Sequence, residues 1–446
     1  MTNQGNTLFW FRRDLRVQDN HGLYRALTSG LPVIGCFIFD EHILSSLEDK
    51  DDARVTFLHD TIHDLQEQID ARGGTLIVEY GKPEELIPRI LDEYHIQKVY
   101  FNHDDEPYAL QRDQFIAEHC QRHQISLYSF KDHLIFERDE VLKKDGLPYT
   151  VFTPYANAWK NRLELAGLDQ DGYPLALSAF PSEHPSYPWK KVNSSRIPSL
   201  DSMGFVASEK EFPPREVKTS LIRQYGDQRD YPSAQGTSRL GIHFRFGTIS
   251  IREKARKAYH LSQTFLNELI WRDFYAMILH HFPHVVNGAF RTPYDQIEWR
   301  NDEDDFRKWC MGMTGYPLVD AGMRQLNATG FMHNRVRMVV ASFLTKHLLI
   351  NWQWGEAYFA RKLLDYDLAS NNGGWQWAAG CGTDAAPYFR IFNPDAQQKK
   401  FDPKFTYIQS WLPEWGSASY PPPMVDHAFA RQRCLKVYQE GLNRSK

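Results

Sequence analysis

Five short apolar runs recur within the first 130 residues, and they constrain the fold more than any other feature. They are LFWF at 8–11, PVIGCFIF at 32–39, TLIVEY at 75–80, KVYF at 98–101 and ISLYSF at 125–130. Runs of this kind are typical of parallel strands that are buried on both faces. Helical segments lie between them, one of which ends at Gly73 and Gly74. Residues 1–130 are therefore predicted to form a doubly wound α/β domain with a parallel sheet.

The remainder of the chain changes character twice. Prolines such as Pro154, Pro174 and Pro198 interrupt the periodicity between residues 131 and 205, which predicts an irregular connector. Helical periodicity dominates residues 206–446, as in the stretch FLNELIWRDFYAMILHHF. The first strand is not followed by GxGxxG, so the α/β domain is not assigned a dinucleotide. The sequence thus predicts an α/β domain, a connector at 131–205 and an all-α domain at 206–446.

The composition is that of an ordinary globular protein. Of the 446 residues, 42% are hydrophobic and 24% are charged, and no apolar run is long enough to cross a bilayer. The N-terminus lacks the pattern of a secretory signal, and the five cysteines form no CxxC or Cys/His spacing. We therefore expect a cytoplasmic monomer without a membrane segment or a metal ion. The net charge of −4 gives no global attraction to nucleic acid, although a local basic face could bind phosphates.

Four residues of LNELIWRDFY, at positions i, i+3, i+4 and i+7, share one face of a predicted helix. They are Glu268, Trp271, Arg272 and Tyr275. A solvated face with one salt bridge is the simpler interpretation of this pattern. A tryptophan is unusual on such a face, however, and it is a good platform for stacking a base.

A second helical face carries Asn334 and Met338 at i and i+4, with Arg337 beside them. Methionine is soft enough to fit an irregular flat ligand, although it also serves as a filler of cores. Asp365 and Asp367, at i and i+2, have no third ligand at a helpful spacing, which disfavours a metal ion. Asp365 can instead pair with Arg337 and accept a hydrogen bond from a ring imide.

The stretch LASNNGGWQWAAG at 368–380 places two tryptophans after two asparagines and two glycines. One interpretation is a turn with two core tryptophans. The other is a wall around a flat aromatic ligand, because glycine lets a backbone come close to another body.

Two further stretches suit phosphates. TSRLG at 237–241 offers hydroxyls and backbone amides near a helix start, which fits a diphosphate or a plain N-cap. Lys399, Lys400 and Lys404, with Arg390 upstream, form a basic cluster that either contacts a nucleic-acid backbone or only solubilises the surface.

Taken together, these motifs resemble the photolyase/cryptochrome family over essentially the whole chain. The resemblance is carried by FWFRRDLRVQDN at the start, TSRLG, LNELIWRDFY, TGYPLVDAGMRQLNATGFMHNRVRM and the long block DYDLASNNGGWQWAAGCGTDAAPYFRIFNP at 365–394. It implies an N-terminal doubly wound α/β domain and an all-α C-terminal domain that binds FAD. It also implies light-driven repair of ultraviolet-damaged DNA.

By the same resemblance, two sets of residues would hold FAD. The phosphates and ribose would be held by Tyr225, Thr237, Ser238, Arg239, Leu240 and Gly241. The isoalloxazine ring would be lined by Arg337, Asp365, Asp367 and Asn371.

The resemblance implies three further sets. Trp375, Trp352 and Trp299 would be the proximal, middle and surface members of an electron-transfer chain. The lesion pocket would be formed by Glu268, Trp271, Asn334, Met338 and Trp377. Contacts with DNA would come from Arg272, Tyr275, Asn334, Arg335 and Gln397.

Within the family, the lesion-pocket set resembles that of class I enzymes that act on cyclobutane pyrimidine dimers. The branch that repairs 6-4 photoproducts carries histidine where Asn334 stands. Plant-type blue-light receptors typically carry aspartate where Asn371 stands, and signalling members have a long tail that this chain lacks. Dimer repair is therefore the expected activity, with a blue-light receptor or a 6-4 enzyme as alternatives.

Three positions depart from the family pattern. Phe265 stands where relatives often have tryptophan near the lesion. A folate antenna expects Asn-Glu where this chain has Tyr108 and Ala109, and a deazaflavin antenna favours lysine where Arg245 stands. A second chromophore of unknown identity is thus an open expectation, with its site near Asp104, Glu106 and the FRRD loop.

Overall fold

The computed structural model describes residues 5–444. Its strands are β1 (Asn6–Phe11), β2 (Val33–Asp40), β3 (Leu76–Gly81), β4 (Ile96–Asn102) and β5 (Ser126–Phe130). The helices up to residue 261 are α1 (His21–Leu27), α2 (Glu41–Ser45), α3 (Ala53–Asp70), α4 (Pro83–Glu93), α5 (Pro107–Arg122), α6 (Phe152–Leu165), α7 (Thr219–Gln228), α8 (Gly241–Phe246) and α9 (Ile251–Leu261). The later helices are α10 (Gln263–His281), α11 (Glu303–Met311), α12 (Pro317–Thr329), α13 (Asn334–Ser342), α14 (Trp352–Lys362), α15 (Leu368–Ala379), α16 (Pro394–Phe401), α17 (Thr406–Trp411) and α18 (His427–Arg444).

The five strands form one parallel sheet in the order β3-β2-β1-β4-β5. Alternate residues of β1 enter two different apolar layers, with Phe9 and Phe11 on one face and Leu8 and Trp10 on the other. Because both faces are covered, the strands read as continuous apolar runs rather than as alternating ones. The predicted fold class is confirmed, and each of the five predicted strands is present.

The described residues form two compact units, each made of separate segments. The first contains the residues up to Glu137, Asn161–Arg215 and Leu240–Tyr259; the second contains Arg138–Lys160, Glu216–Arg239 and the residues from His260 onward. These limits differ from the predicted domain boundaries after residues 130 and 205. The division into domains at those two positions stays a prediction.

Buried charges explain why residues 240–259 belong to the first unit. The Arg252 guanidinium is buried and pairs with Asp132 at 2.9 Å and with Asp19 at 3.0 Å. Asp132 also pairs with Arg16 at 2.7 Å, in the segment that follows β1. A buried charge is tolerated only where it is paired, so this network ties α9 to the sheet domain.

The segment predicted as an irregular connector contains the helix α6. The part of this segment from Arg138 to Lys160, which includes the start of α6, belongs to the second unit. The Trp159 indole is fully buried and donates to Asp273 Oδ2 at 2.8 Å on α10. Pro154 lies in the first turn of α6, and the other prolines of the segment lie outside it. The second unit is otherwise helical, and within residues 5–444 we find no helix long and apolar enough to cross a membrane.

Candidate functional site

A cavity of about 480 Å³ lies within the second unit, between α10, α13, α14 and α15. That volume is in the range of ordinary ligand sites. Thirteen residues singled out in the sequence line it: Glu268, Trp271, Arg272, Tyr275, Asn334, Arg335, Arg337, Met338, Asp365, Asp367, Asn371, Trp375 and Trp377.

The first wall is one face of α10. Ser262 caps this helix by accepting from the Phe265 backbone N–H at 3.2 Å, which fixes where the helix begins. Glu268, Trp271, Arg272 and Tyr275 then project to the same side and all line the cavity. The indole of Trp271 stacks on Phe152 with ring centroids 3.6 Å apart, so one of its faces is already covered.

The second wall is α13, which begins after His333. The His333 side chain accepts from the Arg335 backbone N–H at 3.2 Å and so serves as the cap. Asn334, Arg335 and Met338 line the cavity from this helix. After α13 a π-helical turn occupies Phe343–His347, and the chain leaves the helix before α14.

The third wall is α15, and its glycines have different tasks. A Cβ atom on Gly373 would lie 2.2 Å from the Tyr275 ring, so only glycine lets α15 approach α10 this closely. Gly374 lines the cavity, and its Cβ position has no atom within 4 Å. The stretch forms a helix rather than the turn of the first interpretation, and both of its tryptophans line the cavity. Its role as a wall around a flat ligand stays a prediction.

Two polar pairs fix the side of the cavity near α15. Arg337 Nη2 donates to Asp365 Oδ2 at 2.9 Å, as the sequence predicts, and its Nε donates to the Met332 carbonyl at 2.7 Å. Asn371 Nδ2 donates to Glu356 Oε1 at 2.9 Å. Asp367 caps α15 by accepting from the Ser370 backbone N–H at 3.1 Å. Arg337 and the Asn371 amide are thus held in one orientation.

Two charged residues were missed by the sequence interpretation. Arg229, directly after α7, forms a close ion pair with Glu268. Burial raises the pKa of the Glu268 carboxyl, and the Arg229 charge opposes that shift. Burial likewise raises the pKa of Glu356, against the hydrogen bond from Asn371. Neither residue carries a local motif, and each reaches its partner from a distant segment.

The residues present fit a flat, partly polar cofactor. The cavity combines apolar walls, among them Met338, Phe359 and Trp375, with the guanidinium of Arg337 and the amide of Asn371. Gly374 leaves room for a ligand to approach the backbone. Sites for cofactors commonly combine these features.

The three tryptophans of the implied chain belong to one apolar cluster. Trp375 and Trp352 are buried members, and Trp299 packs against the cluster from the outside. The Trp375 ring meets Phe359 edge to face at 4.9 Å and Trp309 at 6.1 Å. Trp299 lies 5.9 Å from Tyr438 on α18. The electron-transfer role of this set stays a prediction.

Several predicted residues do not line the cavity. Tyr225 packs edge to face on Phe265 at 5.1 Å, and Phe265 itself is buried. Thr237, Ser238 and Arg239 lie in irregular backbone of the second unit, and Leu240 and Gly241 belong to the first unit. Gln397 is half-buried on α16, whereas Lys399 and Lys400 are exposed there. The roles of these residues stay predictions.

The region expected to hold a second chromophore is rich in ion pairs within the first unit. Arg13 pairs with Asp104 at 3.2 Å and with Glu106 at 3.3 Å, and Arg245 also contacts Glu106. The Tyr108 hydroxyl donates to Asp40 Oδ2 at 2.7 Å. The FRRD loop, Asp104, Glu106 and Arg245 are therefore brought together, with their charges largely neutralised by one another.

Comparison with known proteins identifies the family. Residues 7–175 match the family described as DNA photolyase, and residues 265–417 match the FAD binding domain of DNA photolyase. A deoxyribodipyrimidine photo-lyase from Synechococcus sp. is 37% identical, over 97% of this chain and 96% of that protein. The chain belongs to the DNA photolyase family. The whole segment that matches the FAD binding domain lies in the second unit.

Solved structures of the family share the fold along almost the whole chain. A bacterial class III photolyase from Agrobacterium tumefaciens has a TM-score of 0.85 and 31% identity, over 99% of this chain and 98% of its own. An archaeal photolyase from Sulfolobus tokodaii with two FAD molecules has a TM-score of 0.82 and 32% identity, over 98% and 100%. A cryptochrome from Synechocystis sp. PCC6803 has a TM-score of 0.83 and 26% identity, over 97% and 99%. The photolyase fold is thus shared with a cryptochrome.

Proposed function

We propose that this photolyase repairs cyclobutane pyrimidine dimers in DNA by a light-driven electron transfer from reduced FAD. One observation supports the proposal above all. The five lesion-pocket residues Glu268, Trp271, Asn334, Met338 and Trp377 line the same cavity as the four flavin residues Arg337, Asp365, Asp367 and Asn371. A donor and an acceptor bound in that cavity would lie close together, as electron transfer requires.

FAD would be held by the side of the cavity near α15. When bound in its reduced state, FAD supplies the electron that light transfers to the lesion. Asn371 Nδ2 is engaged by Glu356, which leaves Oδ1 to accept a hydrogen bond from a ring N–H. Asp365, paired with Arg337, would accept a hydrogen bond from the imide. Tyr225, Thr237, Ser238, Arg239, Leu240 and Gly241 would hold the phosphates and ribose.

The lesion would enter as a flipped-out pair of bases. Extrusion from the duplex costs a few kcal/mol, and less for a lesion that is already weakly paired. Trp271 has one face covered by Phe152, so its other face would stack on the dimer, opposite Trp377. Stacking returns roughly 1–3 kcal/mol per base. Glu268 and Asn334 would hydrogen-bond the pyrimidine edge, and Met338 would fill the remaining space.

The DNA backbone would be held around the cavity by cationic and polar groups. Arg272, Tyr275, Asn334 and Arg335 are in its lining, and Gln397 lies on α16 beside the exposed Lys399 and Lys400. Such contacts would give a salt-dependent affinity for DNA.

Three tryptophans would keep the enzyme in its active reduced state. Trp299, Trp352 and Trp375 would carry electrons from the protein surface to the cavity. Indoles suit this task because they can lose an electron without breaking a bond. Trp375 lines the cavity, and the other two belong to or pack on its cluster.

Three further features belong to the proposal. A second chromophore of undefined identity would bind near the FRRD loop, Asp104 and Glu106. The protein would act as a monomer, and it would work in the cytoplasm. An absorption spectrum of the purified protein tests the first feature directly, because a second chromophore adds a band that FAD does not explain.

A blue-light receptor is the second candidate, since a cryptochrome shares the fold. The lesion-pocket set argues for repair, because a receptor has no need of Glu268, Trp271 and Asn334 around one cavity. A 6-4 enzyme is disfavoured by asparagine at position 334, where proton donation to that lesion calls for histidine.

One experiment tests the proposed function. The reduced holoprotein is mixed with an oligothymidylate that carries one cis-syn dimer, and blue light is applied. Repair restores the absorbance of thymine near the ultraviolet maximum, whereas the same mixture kept in the dark shows no change. Dark binding of the damaged oligonucleotide without any recovery under light would favour the receptor. Recovery only with a 6-4 photoproduct would favour the other repair branch.

A further inference from the structure

The carboxylate of Glu268 is already occupied in this structure. The guanidinium of Arg229 contacts its Oε1 and also lies over the Tyr225 ring, 5.3 Å from the centroid. Both side chains line the cavity, with 22% of Arg229 and 31% of Glu268 exposed. The group proposed to hydrogen-bond the lesion is therefore held by a cation from another element.

The ion pair is part of a row of alternating charges. Asp230, the neighbour of Arg229, pairs with Arg335 on α13 at 2.7 Å. The row thus runs from Glu268 on α10, through Arg229 and Asp230, to Arg335. A change at one member alters the electrostatic environment of the next.

Other titratable groups also surround Glu268. Tyr225 on α7 and Tyr275 on α10 both sense its charge, and burial raises the pKa of both phenols, so they stay neutral. Arg272 lies on the same helix, and the Arg337–Asp365 pair lines another part of the cavity. Arg229 is the group that most opposes the effect of burial on Glu268.

We infer that Arg229 and Glu268 form a latch that dimer-containing DNA opens, Arg229 moving to a phosphate oxygen and Glu268 taking up a proton from solvent. This inference rests on the proposed function. The protons balance in this step, because a solvent acid loses one proton and the Glu268 carboxylate gains it to become a neutral carboxyl. The guanidinium stays protonated and exchanges a carboxylate for a phosphate as its counter-ion. No electron moves in this step.

Two physical arguments support the exchange. A phosphate diester suits a guanidinium, which forms two parallel charge-assisted hydrogen bonds with such oxygens. Once Arg229 has left, an ionised Glu268 would be unpaired among Trp271, Met338 and the incoming bases, which is costlier than taking up a proton.

The exchange also gives Glu268 the form that the lesion needs. A carboxylate has only acceptors, whereas a neutral carboxyl can donate to a pyrimidine carbonyl. Undamaged DNA does not insert bases into the cavity, so it is not expected to change the protonation of Glu268. The latch would thus couple recognition of the lesion to preparation of the site.

Calorimetry in the dark tests the inference. The holoprotein is titrated with an oligothymidylate that carries one cis-syn dimer, and with the undamaged strand, in two buffers of different ionisation enthalpy. Binding of the damaged strand is expected to make the protein take up about one more proton than binding of the undamaged strand does. Its affinity should correspondingly fall as pH rises, by at most about tenfold per pH unit, because uptake of a proton favours binding at low pH.

Variants locate the proton. Glu268→Gln cannot titrate, and Arg229→Gln leaves Glu268 protonated before DNA arrives, so both should lose the additional uptake. Arg229→Lys keeps the charge and should restore it. Arg335→Gln removes another cavity arginine and should weaken binding while keeping the uptake. Arg307→Gln, on the exposed surface of α11, should change neither the affinity nor the uptake.

The outcomes separate this inference from the proposed function. Equal uptake with damaged and undamaged strands would overturn the latch, as would additional uptake that persists in Glu268→Gln or Arg229→Gln. If a variant fails to retain FAD, the pH dependence of the unaltered protein decides alone. Absence of dimer repair would instead refute the proposed function.

Discussion

Asn371 Nδ2 donates to both the Oε1 and the backbone oxygen of Glu356, at 2.9 and 3.1 Å. Asn371 lies near the start of α15, and Glu356 lies on α14. The pair therefore joins two helices and fixes which end of the amide faces the cavity. A free asparagine could present either its donor or its acceptor to a ligand.

Replacing Glu356 tests this orientation. In Glu356→Leu the amide loses its side-chain acceptor and keeps only the backbone one, so Asn371 is held less firmly and the retention of FAD should fall several-fold. Glu356→Gln keeps an acceptor oxygen and should retain most of the FAD. The ratio of flavin to protein absorbance after gel filtration measures the effect. Equal FAD content in the two variants would show that Glu356 does not orient the amide.

The neighbouring glycines of α15 provide a matched pair. Gly373→Ala places a methyl group 2.2 Å from the Tyr275 ring and should lower the free energy of unfolding by about 1–3 kcal/mol. Gly374→Ala meets nothing within 4 Å and should raise it by about 0.5–1 kcal/mol, since alanine favours a helix. Urea unfolding of the two variants measures both values. A similar loss in both would contradict the packing role of Gly373.

Removing the carboxyl of Glu268 tests its proposed role in repair. Glu268→Ala should retain FAD and lower the yield of dimer splitting on the order of tenfold or more. The reason is that the hydrogen bond from Glu268 is made to a dimer that carries the transferred electron, and a hydrogen bond to a charged group contributes about 1.5–3 kcal/mol. Splitting under blue light is followed by thymine absorbance. Glu298→Ala, an exposed acid that pairs with Arg444, is the matched control. An unchanged yield in Glu268→Ala would remove this residue from the mechanism.

Replacing Trp375 separates electron supply from repair. Trp375→Phe should slow reduction of the bound flavin by blue light and a thiol, and it should spare repair once FAD is already reduced. Trp309→Phe changes a ring that also contacts Trp375, 6.1 Å away, yet should leave photoreduction intact if Trp352 is the next member. Slow photoreduction in Trp309→Phe and not in Trp375→Phe would mean that electrons reach the flavin through Trp309 instead.

Much of the fold and half of the site followed from local patterns. The five strands were predictable because both faces of the sheet are apolar, and the α10 face because helical spacing brings Glu268 and Tyr275 to one side. The Arg337–Asp365 pair was also anticipated. These predictions depend on residues within one element, or on a charge that needs a partner.

Other features depend on contacts between distant segments, which no local pattern records. Arg229 lies 39 residues before Glu268, and nothing around it marks it as a partner. The position of α6 depends on Trp159 reaching Asp273, 114 residues away. The end of α13 in a π-helical turn likewise follows from packing rather than from a break in periodicity.

That π-helical turn carries His347, whose titration should limit stability in acid. Its Nε2 lies 2.9 Å from His427 Nδ1 at the start of α18, and its Nδ1 has no partner. Burial lowers the pKa of His347 to about 3, with His427, Arg433 and Lys346 acting in the same direction. Unfolded histidine has a pKa near 6.5, so the unfolded state binds more protons between these values.

Stability should therefore fall as pH drops from about 6.5 towards 3, with His347 contributing up to about 1.4 kcal/mol per pH unit. His347→Gln cannot titrate but can still donate to His427, so its unfolding free energy should decline less steeply over this window. Subtracting the two urea-unfolding curves, measured at intervals of half a pH unit, isolates this contribution from that of the carboxyl groups. Parallel pH profiles would mean that His347 gains its proton without unfolding the α18 contact.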